Sequence, residues 1–376
     1  MRVGILTLHC GGNYGAVLQA YSLARAVREA GHDVEVVDYR TQTGVAHYRR
    51  ERLPFNPQTR RSQPLFGAHA LKAWKNDRFI ERHTPLSPDS FRSPSELVHY
   101  AQRYDVAVAG SDQIWDLTTE RGLETCFFLD WADPRTTARI SYGPSVGPTT
   151  ELGPHAEALV PLLRGMDATS VRDDGSVALV TAATGRIPEK VLDPTFLVDF
   201  EDVLVRPRRR RRPYLALYGY VRDPAVLAAV RRLADERDLD VVSLGFRNPV
   251  ARRSRIGLGP DEWLGELAGA DYVVTSFYHG LVFALRFGRP FTALPKEGKA
   301  HKVDDLLRIV GLEERTRIED HAAPVDWDRV AGVLAEEAER SRRYLVAALD
   351  VRRVYGSGTP SRSTASPSPA PNADRS

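Results

Sequence analysis

The sequence is poor in cysteine, holding only Cys10 and Cys126 among 376 residues. Two distant thiols in hydrophobic surroundings make no disulfide framework, and no Cys/His spacing suits a metal, so a reducing, cytoplasmic setting is expected. No apolar run reaches the ~18 residues of a membrane span, and Val3–Leu8 enters a glycine-rich loop too soon for a signal peptide. Peripheral membrane contact is the most these features allow. A charge excess is also lacking: Lys+Arg 52 against Asp+Glu 49 leaves +3, which gives no case for nucleic acid as the partner. Neither G-x-G-x-x-G nor G-x-x-x-x-G-K-[ST] occurs, so no dinucleotide fingerprint or P-loop is present.

What is present is a long alternation of strand-like and amphipathic helical stretches, the pattern of parallel sheets flanked by helices. Val3–Leu8 reads as a strand, Ala16–Ala30 as a helix and Val34–Asp38 as a second strand. A polar, basic insertion at 41–67 precedes the helix Ala68–His83. Short strands are expected at Val106–Ala109, Ile140–Tyr142, Ala168–Arg172 and Val191–Leu192, with a helix from about Gly175 to Ala183 between the last two. Arg206–Pro213 sets the arginines 208–212 between two prolines, which breaks regular structure and marks a solvated hinge.

A fresh series follows. Tyr214–Tyr220, Asp240–Leu244, Asp271–Thr275 and Pro290–Leu294 read as strands, Pro224–Glu236 and Pro260–Leu267 as helices, and Val325–Leu349 as a closing helix. Residues 356–376, rich in Gly, Ser, Thr, Pro and Ala, are expected to be disordered. The expected fold is α/β, with two Rossmann-like domains, 1–205 and 206–355, facing across a cleft that receives ligands at the strand C-termini.

The chemistry-bearing residues cluster at those strand ends. His279 follows a buried strand and opens a helix, where free N–H groups favour an anion by ~0.3–1 kcal/mol. That is too little to hold a phosphate alone, so Arg172, after another strand, and Lys296, Lys299, His301 and Lys302 are the expected supplementary cations. Gly110-Ser111-Asp112-Gln113-Ile114-Trp115 offers a carboxylate, an amide and an indole suited to sugar hydroxyls and faces, although Asp112 is equally placed to cap a helix. His9–Gly15 is a glycine-rich turn that permits close backbone approach or simply a tight connection. Gly143-Pro144-Ser145-Val146-Gly147 formally matches a nucleophile elbow, but prolines bracket it and no helix follows at once.

Taken in order, Asn13-Tyr14-Gly15, Gly110–Trp115, Ser145 with Gly147, Ser170-Val171-Arg172, Leu192-Asp193-Pro194-Thr195, His279-Gly280 and Asp305-Leu306-Leu307 resemble the polysaccharide pyruvyl transferase family. The resemblance implies a GT-B-like fold, phosphoenolpyruvate as donor, a sugar or glycan acceptor, free or lipid-linked, and a pyruvate ketal product. No cofactor or metal is implied. The family's donor-binding Arg and His fall on Arg172 and His279, the expected catalytic pair, with Gly280, Leu281, Lys299 and Lys302 completing the donor site. Asn13, Tyr14, Asp112, Gln113, Trp115 and Ser145 are the expected acceptor contacts. The chain departs from the family's usual Thr-Asp-Ser-Phe-His-Gly turn, having Ser276 and Phe277 at its second and third positions. Two other readings fit the same scaffold: a glycosyltransferase using a nucleotide sugar, and a non-catalytic glycan-binding member.

Overall fold

The computed structural model describes residues 1–41, 66–207, 212–294, 300–318 and 324–355. The expectations for most of 41–67, for 208–211, for Lys296 and Lys299 and for 356–376 lie outside the described residues.

The first half runs β1 (Arg2–Leu6), α1 (Tyr14–Glu29), β2 (Asp33–Tyr39), α2 (Phe66–His83), β3 (Leu86–Phe91), α3 (Pro94–Tyr100), β4 (Val106–Ala109) and β5 (Ala138–Ser141). Then come α4 (Ala156–Arg164), β6 (Ser170–Val171), α5 (Asp174–Thr184) and β7 (Glu189–Lys190). Strands β1 to β5 make a parallel sheet in the order β3-β2-β1-β4-β5, and β6 pairs with β7 beside it. The second half runs β8 (Tyr214–Tyr218), α6 (Pro224–Glu236), β9 (Asp240–Leu244), β10 (Arg253–Arg255), α7 (Pro260–Ala268), β11 (Tyr272–Thr275), α8 (Tyr278–Arg286) and β12 (Phe291–Ala293). Its parallel order β10-β9-β8-β11-β12 repeats the first winding. The last helices are α9 (Ala300–Val310) and α10 (Trp327–Tyr355).

Central strands β4 and β8 are buried along their whole length, as parallel strands covered on both faces must be. The edge strands β3 and β10 were not expected from the sequence. The first contains Pro88 and the second is Arg-Ser-Arg, compositions that only an edge tolerates and that show no apolar alternation. The strand expected at Val191–Leu192 forms two residues earlier, at Glu189–Lys190.

The halves share one apolar core. Tyr14 of α1 stacks on Trp263 of α7 at 5.2 Å, and its hydroxyl donates to the Leu258 carbonyl at 3.1 Å. The closing helix α10 returns to the first half, where its Leu345 and Leu349 join the core cluster of Val3 and Ile5. There Tyr344 donates to the Ser141 carbonyl at 2.9 Å, and Ser341 accepts the Leu192 amide at 2.9 Å. The closing helix thus packs on both halves, against α9 of the second as well as against β5 and α1 of the first.

Buried charge pins the loop after β1. His9 Nε2 meets Asp38 Oδ1 at 2.8 Å, while Nδ1 faces the Thr7 carbonyl at 3.1 Å. Burial opposes ionisation of Asp38, yet hydrogen bonds from His9 and Arg40 hold its carboxyl well below the usual carboxylate range. Because the folded pKa is depressed, the stabilisation is complete above the unfolded value of ~3.9 and drains away as pH falls below it. Urea midpoints measured from about pH 7 down to pH 3 should therefore fall less steeply for Asp38→Asn than for wild type. Identical slopes would refute this account of Asp38.

Candidate functional site

The start of α1, after β1, meets the turns after β9 and β11 of the other half, with Gly245 against Tyr14 and Gly15 against His279. His279 is the second residue of α8, after Phe277, whose side chain provides no cap. The amides of Tyr278 and His279 are thus those that helix geometry leaves without an intrahelical acceptor. From the opposite half, the start of α1 closes on the imidazole so tightly that a Cβ added to Gly15 would overlap the ring. Only glycine permits this approach. Asn13 caps α1, its Oδ1 accepting the Gly15 amide at 3.0 Å.

Behind the imidazole runs a buried ionic chain. Asp193 Oδ2 lies 3.3 Å from His279 Nε2, an electrostatic contact outside hydrogen-bond geometry, and accepts Arg172 Nη1 at 2.8 Å. Arg172 Nη2 donates to Asp112 Oδ1 at 3.1 Å. Burial opposes ionisation of Asp193, but His279 and Arg172, with the bonds from Thr195, hold its pKa well below the usual range. Asp112 is likewise lowered against its burial by Arg172, His279 and Lys302. Burial works against the Arg172 charge too, and the two carboxylates reverse that effect.

Asp112 has φ of +74°, a left-handed conformation that costs roughly 1–3 kcal/mol outside glycine. The Ser145 amide donating to its carbonyl at 2.8 Å holds the turn. Tyr278 lies between Arg172, whose guanidinium carbon sits 5.0 Å from its ring centroid, and Lys302, at 5.4 Å. Burial pushes its phenol upward, so it stays protonated. Cys10, in the glycine-rich loop, is no thiolate: burial raises it to about 11.

Several expected roles need correction. Arg172 is enclosed, and its guanidinium donates to Asp193 and Asp112 and not to open space. The amides of Gly280 and Leu281 donate to the Phe277 carbonyl at 3.0 and 3.3 Å and offer nothing to a donor. Leu281 is wholly buried, and Gly280 makes space for Thr275 and Tyr218. Trp115 is also core: its indole N–H donates to the Phe127 carbonyl at 2.9 Å and its face stacks on Phe128 at 5.2 Å. Tyr14 is enclosed in the interface between the halves. Neither ring can meet a sugar.

Gln113 and Lys302 come together at 3.2 Å and, with Ser145, line a pocket of about 380 Å³. Lys299 lies outside the described residues. Sequence reasoning passed over Asp193 and Tyr278 as site residues. Asp193-Pro194 was visible as a motif, but Asp193 also caps a short turn by accepting the Thr195 amide at 3.1 Å, and nothing local separates that role from its contacts to Arg172 and His279. Among the described residues no group of three or more His, Cys, Asp or Glu could hold a metal, and no helix is long and apolar enough to cross a membrane.

Two like-wound parallel sheets with a charged seam at their C-terminal edges define an α/β protein of the GT-B-like class. The chain belongs to the polysaccharide pyruvyl transferase family, whose model matches residues 13–295. Among solved structures it is similar to S. aureus MnaA in its UDP co-structure, with 11% identity and a TM-score of 0.53 over 96% of this chain and 98% of that one. It is similar also to a Listeria monocytogenes protein described as a UDP-N-acetylglucosamine 2-epimerase, with 11% identity and a TM-score of 0.51 over 94% of each chain. At such identities these likenesses speak for the fold alone. No curated protein matches the sequence.

Proposed function

We propose that the protein is a metal-independent pyruvyl transferase that moves the enolpyruvyl carbon skeleton of phosphoenolpyruvate onto a sugar or glycan as a ketal. The observation that carries this reading, in a chain of this family, is the imidazole of His279 set at the start of two helices and backed by Asp193, Arg172 and Asp112. The free N–H groups of Tyr278 and His279 at the start of α8 would receive the anionic donor.

In the reaction a sugar hydroxyl adds to C2 of phosphoenolpyruvate while C3 takes a proton from the His279 imidazolium, and the proton of that hydroxyl passes to a phosphate oxygen, to leave later as hydrogen phosphate. Asp193 lies against the ring, and Asp112, a weak base while held ionised, orients the attacking hydroxyl. A second hydroxyl of the same sugar then attacks C2, the C2–O bond to phosphate breaks, and the neutral imidazole recovers a proton from that hydroxyl. The products are the cyclic ketal and inorganic phosphate, and His279 ends as it began. Arg172 acts at one remove, keeping two buried carboxylates ionised and in place.

The test is phosphate release from phosphoenolpyruvate with a panel of sugars and glycans, together with a mass gain on the acceptor of one pyruvate less water. Thermal stabilisation by phosphoenolpyruvate should accompany it. Stabilisation by nucleotide sugars alone, with no phosphate released, would replace this reading with the glycosyltransferase one.

A further inference from the structure

Two large aromatic side chains are more than half exposed, Trp74 at 56% and Tyr220 at 54%. A lone exposed apolar group needs no explanation, but these two belong to one rim. Trp74 stands with the exposed Leu71 on the outward stripe of α2, three residues apart. Leu71 lies over Gly257 in the loop after β10, where an added Cβ would meet it at 3.1 Å. Lys72 turns inward, its ammonium 4.8 Å from the ring centroid of Phe246 in the loop after β9. Phe246 packs on Tyr220, after β8, with 4.2 Å between centroids. Because the sheet runs β10-β9-β8, these contacts follow one line along the C-terminal strand ends of the second half.

The base of this rim is fixed. Buried Asn248 donates to the Gly219 carbonyl at 3.1 Å and to Ser243 Oγ at 2.7 Å, and its Oδ1 accepts the Val221 amide at 3.3 Å. One amide side chain thus ties the loop that carries Tyr220 to the loop that carries Phe246. The rim is also basic. Arg222 and Arg247, one on each of these loops, are exposed and have no acidic partner among the described residues, while Arg78 lies over the Trp74 ring at 5.9 Å. Two acids beside them are engaged: Asp223 caps α6 through the Ala225 amide at 2.8 Å, and Glu262 holds Lys75 and the Gly259 amide.

Tryptophan and tyrosine flanked by arginine suit the boundary of a bilayer, where such rings sit at headgroup depth and guanidinium groups meet lipid phosphates. A second copy of this chain would set the same cations against each other, which charge opposes. We infer that this rim is a membrane-docking surface, seating the C-terminal strand ends of the second half on an anionic bilayer. None of Trp74, Tyr220, Arg222 and Arg247 is among the reacting groups, so the inference does not rest on pyruvyl transfer or on any substrate.

The test is co-sedimentation of the full chain with vesicles of phosphatidylcholine alone and of phosphatidylcholine and phosphatidylglycerol in equal parts. Wild type should bind the mixed vesicles at low salt, release them at high salt and ignore the neutral ones. Lipids brominated near the headgroup end of the chain should quench its fluorescence. Trp74→Phe should bind but lose this quenching, since Trp115, Trp131 and Trp263 are buried and Trp327 stands elsewhere, at the start of α10. Trp74→Ala with Tyr220→Ala, and separately Arg222→Glu with Arg247→Glu, should weaken binding by about tenfold or more with thermal unfolding unchanged. Failure of wild type to bind mixed vesicles at low salt overturns the inference, as does equal binding by all variants. Binding without quenching of Trp74 would put the contact elsewhere and overturns it too. Dimerisation that Trp74→Ala abolishes, with no vesicle binding, would make the rim a contact between copies instead.

Discussion

His279→Ala is expected to lower phosphate release from phosphoenolpyruvate by about 10²–10⁴-fold, the usual worth of a positioned general acid. The fall should appear in kcat more than in KM, because the ring acts on a proton in flight. Its fold should survive: the side chain lies at the first turn of α8, a position alanine favours. Gly15→Ala makes the complementary test. Its methyl group would overlap the imidazole and displace it, while His279 and its chemistry remain. Both variants should lose turnover, the second through position alone. Wild-type phosphate release in His279→Ala would remove the imidazole from the mechanism.

The sequence carried the position of His279 because a buried strand running into a helix has a recognisable pattern, and the ligand edge follows from it. Arg172 was found by the same rule, yet its direction was not. A strand-end arginine that grips a ligand and one that neutralises buried carboxylates have the same local sequence, and only the return of Asp112 and Asp193 from other segments separates them. Tyr14 and Trp115 were misread for a related reason. An aromatic at the ligand edge offers its face to a sugar or to another ring, and the partners that decided the matter, Trp263 and Phe128, lie far along the chain in one case and in an irregular turn in the other. The two edge strands had no signal to read. The repeated winding did, because buried parallel strands are apolar throughout.

Asp193→Ala should be the most destabilising change at the site. The side chain is wholly buried and accepts the Thr195 amide and hydroxyl through Oδ1, and Arg172 through Oδ2. Removing it strands Arg172 with a single carboxylate partner, and breaking a buried pair in this way costs roughly 3–5 kcal/mol, to be read from urea unfolding. Asp193→Asn tests the charge more finely. Asparagine has one acceptor oxygen for two demands. If that oxygen caps Thr195, the amide N–H₂ points at the guanidinium and at His279, donor against donor. Some stability should therefore be lost even in this isosteric change, about 1–3 kcal/mol for a buried donor left unsatisfied. Turnover should fall with it, since the amide would meet the imidazole where a carboxylate stood. A variant as stable and as active as wild type would mean that the ionic chain neither supports the fold nor takes part in turnover.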